Sequence, residues 1–334
     1  MSELVTVFGG TGFVGTYVVR ALARKGWRIR VAARRPKLGY RLPSFGDVGQ
    51  IQLTAADIGS REQVDAALAG ASACINLVGI LAPSPGSGFR KVHEEGARTI
   101  AEAAAARGIT RFVQMSALGA DPRSPSQYAR TKAEAEAAVR KAIPSAVVLR
   151  PSVVFGPEDD FFNRFAAMAT WSPFLPLIGG GKTRFQPVYV GDVADAAANA
   201  LERGPAAGQT FELGGPGVYT FKELMQLVLH ETNRRRALAP LPFGAAELIG
   251  LGGEISGFAV SSLFSVFGKR GAMAAPPPPL TGDQVRLLKR DNVVSAGARG
   301  LDALGVTPTS VESIVPDYLW LYRKGGQFAE QPVR

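Results

Sequence analysis

The 334-residue chain contains a single cysteine, Cys74, and only two histidines, His93 and His230. One thiol cannot close an internal disulfide, which excludes a disulfide-stapled scaffold. Set in the apolar run Ala73–Val78, Cys74 reads as a small core side chain. No Cys, His and carboxylate cluster stands at ligand spacing, so no metal site is expected. No window reaches the roughly 18 uninterrupted apolar residues of a bilayer span. The opening MSELVTVFGG has neither a basic n-region nor a cleavable apolar segment, so a cytoplasmic protein is expected. Few aromatics accompany the arginines, and zinc-finger spacing and basic heptads are absent. No nucleic-acid partner is expected.

What is present is ordinary globular composition, 46% apolar and 20% charged, at a length that suits one large domain or two. The charge is lopsided. Residues 1–150 hold 21 Lys and Arg against 11 Asp and Glu, whereas residues 151–334 hold 17 of each. The whole positive surplus lies in the first part, which points to a polyanionic ligand or surface there: a nucleotide cofactor or an anionic membrane.

Short apolar runs alternate with helical periodicity through the first half. Strands are expected at Leu4–Phe8, Arg28–Ala33, Ile51–Ala55, Ala73–Val78, Arg111–Met115 and Ala146–Leu149. Helices are expected at Phe13–Lys25, Arg61–Ala69, Phe89–Arg107 and Gln127–Ala142. Continuously apolar strands separated by helices indicate an α/β fold, a doubly wound parallel sheet of Rossmann type. The second half is less regular. It shows helical patterns at Phe161–Trp171, Asp192–Glu202 with Asp192 as N-cap, and Phe221–Glu231 with Thr220 as N-cap. Short strands are expected at Pro187–Val190 and Thr210–Leu213. The expected organisation is a dinucleotide-binding domain over 1–155 with returning segments near 183–203. A smaller, mixed C-terminal region over 156–334 carries a proline-rich linker near 268–282.

Three constellations carry chemistry. Gly9-Gly10-Thr11-Gly12-Phe13-Val14-Gly15 follows the first strand and opens the first helix, with glycines spaced GxxGxxG. There a turn without side chains lets backbone N–H groups approach a pyrophosphate at the positive end of a helix. The second strand ends in Arg34-Arg35, with no carboxylate between Val31 and Phe45. Guanidiniums can clamp a ribose 2′-phosphate that a carboxylate would repel, so NADP(H) is preferred, with NAD(H) as the alternative. Asp57-Ile58, after the third strand, stands where an adenine edge can be read. The third constellation is Ser116, Tyr128 and Lys132. Tyr128 and Lys132 share one helix face at i and i+4, where the ammonium is expected to lower the tyrosine pKa for acid/base work. Ser116, at a strand end, is placed to hydrogen-bond a substrate carbonyl.

These motifs, with Arg150-Pro151-Ser152-Val153-Val154-Phe155-Gly156, resemble the short-chain dehydrogenase/reductase superfamily in its extended and atypical branches. The resemblance implies that Tyr128 is the acid/base and that Lys132 also holds the nicotinamide ribose. It further implies that Pro151, Ser152, Val153 and Val154 line the nicotinamide, and that Asn76-Leu77-Val78-Gly79 supports the cofactor. Val92-His93 stands where many active relatives carry Val-Asn, and a histidine there can still relay a proton. The segments Val92–Ala104, Phe155–Phe165, Leu280–Ser295 and Pro316–Phe328 are similar to one atypical group, which includes the nucleotide-binding accessory subunit of respiratory complex I. That likeness implies a tightly held NADP(H), a place beside respiratory complex I or another membrane complex, and a peripheral position on the cytoplasmic face of the inner membrane. Fourteen residues without charge, Ile255–Gly268, suit packing in the core or at such an interface. Two functions stay open: an accessory protein with a largely structural cofactor, and an active NAD(P)-dependent oxidoreductase or epimerase using Ser116, Tyr128 and Lys132.

Overall fold

A computed structural model describes residues 3–83, 86–202, 204–247 and 281–328. The chain divides into two compact units. The first comprises Met1–Val154, Pro187–Pro216 and Val294–Ser310, and the second comprises Phe155–Gln186, Gly217–Val293 and Val311–Arg334.

In the first unit, β1 (Leu4–Phe8), β2 (Arg28–Ala33), β3 (Ile51–Ala55), β4 (Ala73–Asn76), β5 (Arg111–Met115) and β6 (Val147–Pro151) join the strand Thr210–Leu213 in one sheet. Its order is Thr210–Leu213, β6, β5, β4, β1, β2, β3. Every pairing is parallel, with Leu4 opposite Arg28 and Val5 opposite Ala73. The expected Rossmann-type sheet is present. The central strands are buried because both faces of the sheet are covered. Val5 and Val7 of β1 pack with Val18 and Leu22 of α1 (Phe13–Arg24) and Val193 and Ala197 of α6 (Val190–Glu202). Phe8 and Cys74 face the other way, into a core with Val64 of α2 (Arg61–Leu68), Ile100 of α3 (Gly96–Ala106) and Val139 of α4 (Gln127–Ala142). Thr6, on that same face, donates its hydroxyl to the Ala67 carbonyl at 2.8 Å, so a polar strand residue is buried without an unmet donor. Burial pushes the Cys74 thiol pKa up, in keeping with an inert core side chain.

Several local expectations shift. The helical pattern Phe89–Arg107 opens with a π-helical turn, Arg90–Glu95, before α3. β4 stops at Asn76 because the Asn76 side chain takes the Val78 N–H at 3.1 Å and turns the chain out of the sheet. α6 starts at Val190, straight after the strand Val188–Tyr189, so Asp192 is not its N-cap. Asp192 instead accepts the Thr309 N–H at 2.6 Å and the Thr309 hydroxyl at 2.9 Å. That clasp belongs to Val294–Ser310, which patterning left in the C-terminal region. Leu301, Leu304 and Val306 join the α1/α6 core, and Asn199 donates to the Leu304 carbonyl.

In the second unit, α5 (Phe161–Trp171) and α7 (Phe221–Glu231) pack through Phe161, Phe165 and Phe221, with Phe185 beside them. Thr220 and Glu223 form a reciprocal capping box at the start of α7. The strands Phe174–Ile178 and Ala237–Leu241 pair in parallel. Buried Asp159 accepts the Phe162 and Asn163 N–H groups and the Tyr318 hydroxyl, holding the segment Pro316–Leu319. The stretch Ile255–Gly268 and the proline-rich linker up to Leu280 lie outside the described residues. Among the described residues, no helix is long and apolar enough to cross a membrane.

Candidate functional site

The parallel sheet carries Gly9, Arg34, Leu77, Ser116 and Ser152 just past the carboxyl ends of its strands, and Asp57 just beyond β3. The order places β4 and β6 on one side of β1 and β2 and β3 on the other. The switch point therefore falls between β1 and β4, where open α/β sheets form a crevice.

Gly9 to Gly12 form the turn from β1, and Phe13, Val14 and Gly15 are the first residues of α1. Gly9 has φ +79° and lies against β4: a Cβ there would stand 3.1 Å from the Val78 nitrogen. A Cβ at Gly15 would stand 2.3 Å from the Gly9 carbonyl oxygen, so helix and turn touch backbone to backbone. Gly12 differs. Its φ of −83° suits any residue, and the nearest atom to an added Cβ is the Gly9 oxygen at 3.4 Å. No side chain caps the start of α1 and its first turn holds no acidic residue. The positive end of the helix thus faces outward over a glycine that the protein's own packing does not require.

The loop after β2 folds back on this turn, since a Cβ at Gly39 would stand 2.9 Å from Thr11 Cγ2. Arg34 and Arg35 are exposed in that loop. Arg34 donates to the Ser87 hydroxyl at 3.3 Å, and neither arginine has a carboxylate partner among the described residues. Asp57 is exposed after β3, but its carboxylate accepts the Gly59 N–H at 2.9 Å. It is committed to its own turn, and Ile58 packs toward Gly96.

Leu77, Val78 and Gly79 are set by Asn76, whose amide donates to Gln114 Oε1 at 2.9 Å. Gln114 in turn donates to the Met115 carbonyl at 3.0 Å. Gly79 makes room for an ammonium: a Cβ there would stand 3.1 Å from Lys132 Nζ. On the other flank, the Leu118 N–H donates to the Pro151 carbonyl and the Ser152 N–H to the Leu213 carbonyl, both at 2.9 Å, and the Val153 carbonyl accepts the Val188 N–H at 3.0 Å. Val154 ends this run.

Tyr128, Lys132 and Glu136 lie one turn apart along α4. Lys132 is buried and donates to the Met115 carbonyl at 3.3 Å. Burial brings its pKa down to about 8, against the opposing pull of the Glu136 carboxylate. The Tyr128 ring stands edge-on to Phe89 and His93. The ammonium lies 5.9 Å from its centroid and does not lower the phenol; burial pushes Tyr128 up to about 12. The expected depression of its pKa is reversed, because desolvation of a phenolate among apolar rings outweighs the nearby charge.

Ser116 also departs from expectation. It is buried and donates its hydroxyl to Glu136 at 2.5 Å. Arg150 grips the same carboxylate in a fork, Nε to Oε1 at 2.9 Å and Nη2 to Oε2 at 2.7 Å. The one Ser116 proton is thus committed to a structural anion rather than pointed at a substrate carbonyl. His93 likewise has both ring nitrogens occupied. Nε2 accepts the Ile80 N–H at 3.0 Å, which leaves the proton on Nδ1, 3.0 Å from Thr131 Oγ1. Burial and the Lys132 charge bring its pKa to about 3. It stands as a neutral strut for the Gly79–Ile80 loop. Glu136 and Thr131 escaped the sequence reading, as did the pairing of Arg150 with Glu136. The i, i+4, i+8 spacing of Tyr128, Lys132 and Glu136 was the available signal.

An open parallel sheet with a glycine turn at its switch point and a Tyr-Lys helix defines a class of protein. The NAD dependent epimerase/dehydratase family matches residues 5–214, and the chain belongs to that family. It is 36% identical over 327 residues to NADH dehydrogenase (ubiquinone) 1 alpha subcomplex subunit 9, mitochondrial, of Arabidopsis thaliana, covering 97% of this chain and 79% of that one. It is 35% identical over 241 residues to a ceramide reductase of Caulobacter vibrioides, covering 72% of this chain and 74% of that one. In fold it is similar to the NADPH-dependent quinone oxidoreductase of Escherichia coli solved with NADPH, at TM-score 0.70 and 20% identity, over 95% of this chain and 99% of that one.

Proposed function

We propose that the protein binds NADP(H) at the carboxyl edge of its first unit and holds it as a largely structural cofactor, serving as an accessory protein of respiratory complex I or of quinone metabolism. One observation carries the nucleotide assignment: Gly12 has room for a side chain yet none is present, over an uncapped helix start against which the loop carrying two exposed arginines folds, neither with a carboxylate partner among the described residues. The residues fit the group. Gly9, Gly10, Thr11, Gly12, Phe13, Val14 and Gly15 would hold the pyrophosphate, with Arg34 and Arg35 on the 2′-phosphate. Ile58, Leu77, Val78, Gly79, Pro151, Ser152, Val153 and Val154 would flank the rest, and Tyr128 and Lys132 the nicotinamide ribose. Asp57, turned to Gly59, would line the adenine side only. A ligand bound at a thousandfold its Kd stabilises a fold by about 4 kcal/mol without any chemistry.

The accessory reading draws on the relatives named as complex I subunits and on a Ser116 hydroxyl directed at Glu136. We place the protein peripherally at the cytoplasmic face of the inner membrane. The test is to denature the protein as purified and quantify released nucleotide. NADP(H) near one per chain is expected, and an empty site or NAD(H) alone would overturn the assignment.

Turnover is the second reading, and the Tyr128–Lys132 pair favours it. A bound nicotinamide supplies hydride chemistry, while Tyr128 gives its phenolic proton to a substrate oxygen. Tyr128→Phe separates the two: unchanged nucleotide content with no loss of any measured activity supports the accessory role.

A further inference from the structure

Several apolar side chains of the second unit stand well out of the fold, among them Trp171 at 62% exposure, Phe174 at 50% and Leu321 at 60%. They are far apart in sequence, and the arginine run Arg234-Arg235-Arg236 draws them together. Arg236 Nε donates to the Ala169 carbonyl at 2.9 Å, two residues before Trp171. The next residue, Ala237, pairs with Phe174, and its N–H donates to the Pro173 carbonyl at 3.2 Å. Arg234 Nε donates to the Tyr322 carbonyl at 2.9 Å, which sets Leu321 and the exposed Lys324 on the other side of the run.

None of the three arginines, nor Lys324, has a carboxylate partner among the described residues. Glu231, just ahead of the run, is buried against Arg323. Burial, and after it the charge of Arg236, lowers the Arg234 pKa. The hydrogen bonds of Arg234 and Arg236 thus hold these cations beside segments that carry protruding apolar side chains.

We propose that this surface, formed by Trp171, Phe174, Leu321, Arg234, Arg235, Arg236 and Lys324, seats the protein on an anionic phospholipid bilayer. Guanidiniums and an ammonium meet the headgroup phosphates, while an indole, a phenyl and an isobutyl group enter the boundary between headgroups and acyl chains. An acidic protein surface satisfies the cations but leaves three exposed apolar groups in water. A bilayer satisfies both. The inference rests on the peripheral placement proposed above and is independent of the nucleotide; it also moves the membrane contact from the basic first 150 residues to the second unit.

The full chain is tested by co-sedimentation with phosphatidylcholine vesicles, with and without about 30 mol% phosphatidylglycerol. Binding is expected to the anionic vesicles alone and to weaken as salt rises. Each basic residue near such a surface is worth about a fivefold change, so R235Q/K324Q is expected to bind about thirtyfold more weakly. These two residues are exposed and have no partner among the described residues, so an unchanged melting curve shows the variant is folded. W171S/F174S is expected to abolish the binding that persists at high salt. No binding by the unaltered chain overturns both this surface and the peripheral placement. Vesicle binding that survives both double variants overturns the surface alone. Binding to polyglutamate but not to vesicles overturns the lipid assignment in favour of an acidic protein.

Discussion

Gly12 and Gly15 lie three residues apart in one motif, yet the structure assigns them opposite sensitivities. At Gly15 an added methyl would meet the Gly9 carbonyl oxygen at 2.3 Å and the Gly10 Cα at 2.6 Å, both backbone atoms that cannot rotate away. Overpacking of this kind costs about 3 kcal/mol, and the better helix propensity of alanine returns about 1 kcal/mol. Gly15→Ala is therefore expected to lose about 2 kcal/mol, or about 4–8 °C in Tm for a domain of this size. At Gly12 the methyl meets nothing closer than 3.4 Å and φ is already favourable. Reduced unfolded-state entropy, about 0.5 kcal/mol, offsets a slightly poorer N-cap of similar size. Gly12→Ala should melt within about 1 °C of the parent when nucleotide-free, yet bind NADPH at least about tenfold more weakly, because the methyl occupies the approach to the helix start. Melting curves of stripped protein and an NADPH fluorescence titration read the two effects separately. The reasoning fails if Gly12→Ala destabilises the stripped protein as much as Gly15→Ala, or if it binds NADPH unchanged.

Replacing Arg34 and Arg35 together by alanine should weaken NADPH by about 1.5–3 kcal/mol per lost charge-assisted contact while leaving NADH within a few-fold, as equilibrium titration with both nucleotides will show. His93 holds its pKa near 3 when folded, below its ordinary 6.5, so the unfolded chain binds more protons between those values and stability is lost as pH falls through that window. His93→Asn, which keeps an acceptor for the Ile80 N–H, should flatten the pH dependence of Tm between about 6.5 and 3. Lys132 behaves likewise at higher pH: its folded pKa of about 8 lies below the ordinary 10.5, so its contribution rises with pH across that interval, and Lys132→Met should remove the slope. Glu136→Gln removes the forked partner of Arg150, leaves it Glu212 at 3.7 Å, and should cost about 2–3 kcal/mol in chemical denaturation, that remaining pair and the partial exposure of Arg150 keeping it below the range for fully buried pairs.

The fold was legible because its signals are local. Leu4–Phe8 is an almost wholly apolar run closed by a glycine turn, and Thr220 marks the start of its helix as an N-cap. The glycine turn was legible for the same reason. The chemistry around Tyr128 was not. The partner of Ser116 is a carboxylate 20 residues away, and that carboxylate is shared with Arg150 across the sheet. The state of His93 depends on an N–H from Ile80 and a hydroxyl from Thr131, neither of which periodicity brings near it. Desolvation likewise reverses the Tyr128 shift that spacing alone suggests, since spacing reports charge but not dielectric. Val294–Ser310 has no helical or strand period; its buried Leu301, Leu304 and Val306 and its Thr309 bonds to Asp192 tie it to the first unit.

That last segment has a consequence for biosynthesis. The layer of α1 and α6 is roofed by Leu301, Leu304 and Val306, and Asp192 waits for Thr309. A ribosome that has delivered the seventh sheet strand, which ends at Leu213, has still to deliver residues 214–309 before this half of the molecule is complete. Until residue 309 emerges, an apolar helix surface and a desolvated carboxylate stand open, so a nascent chain stalled before that point should be a chaperone client even though its sheet is already laid down.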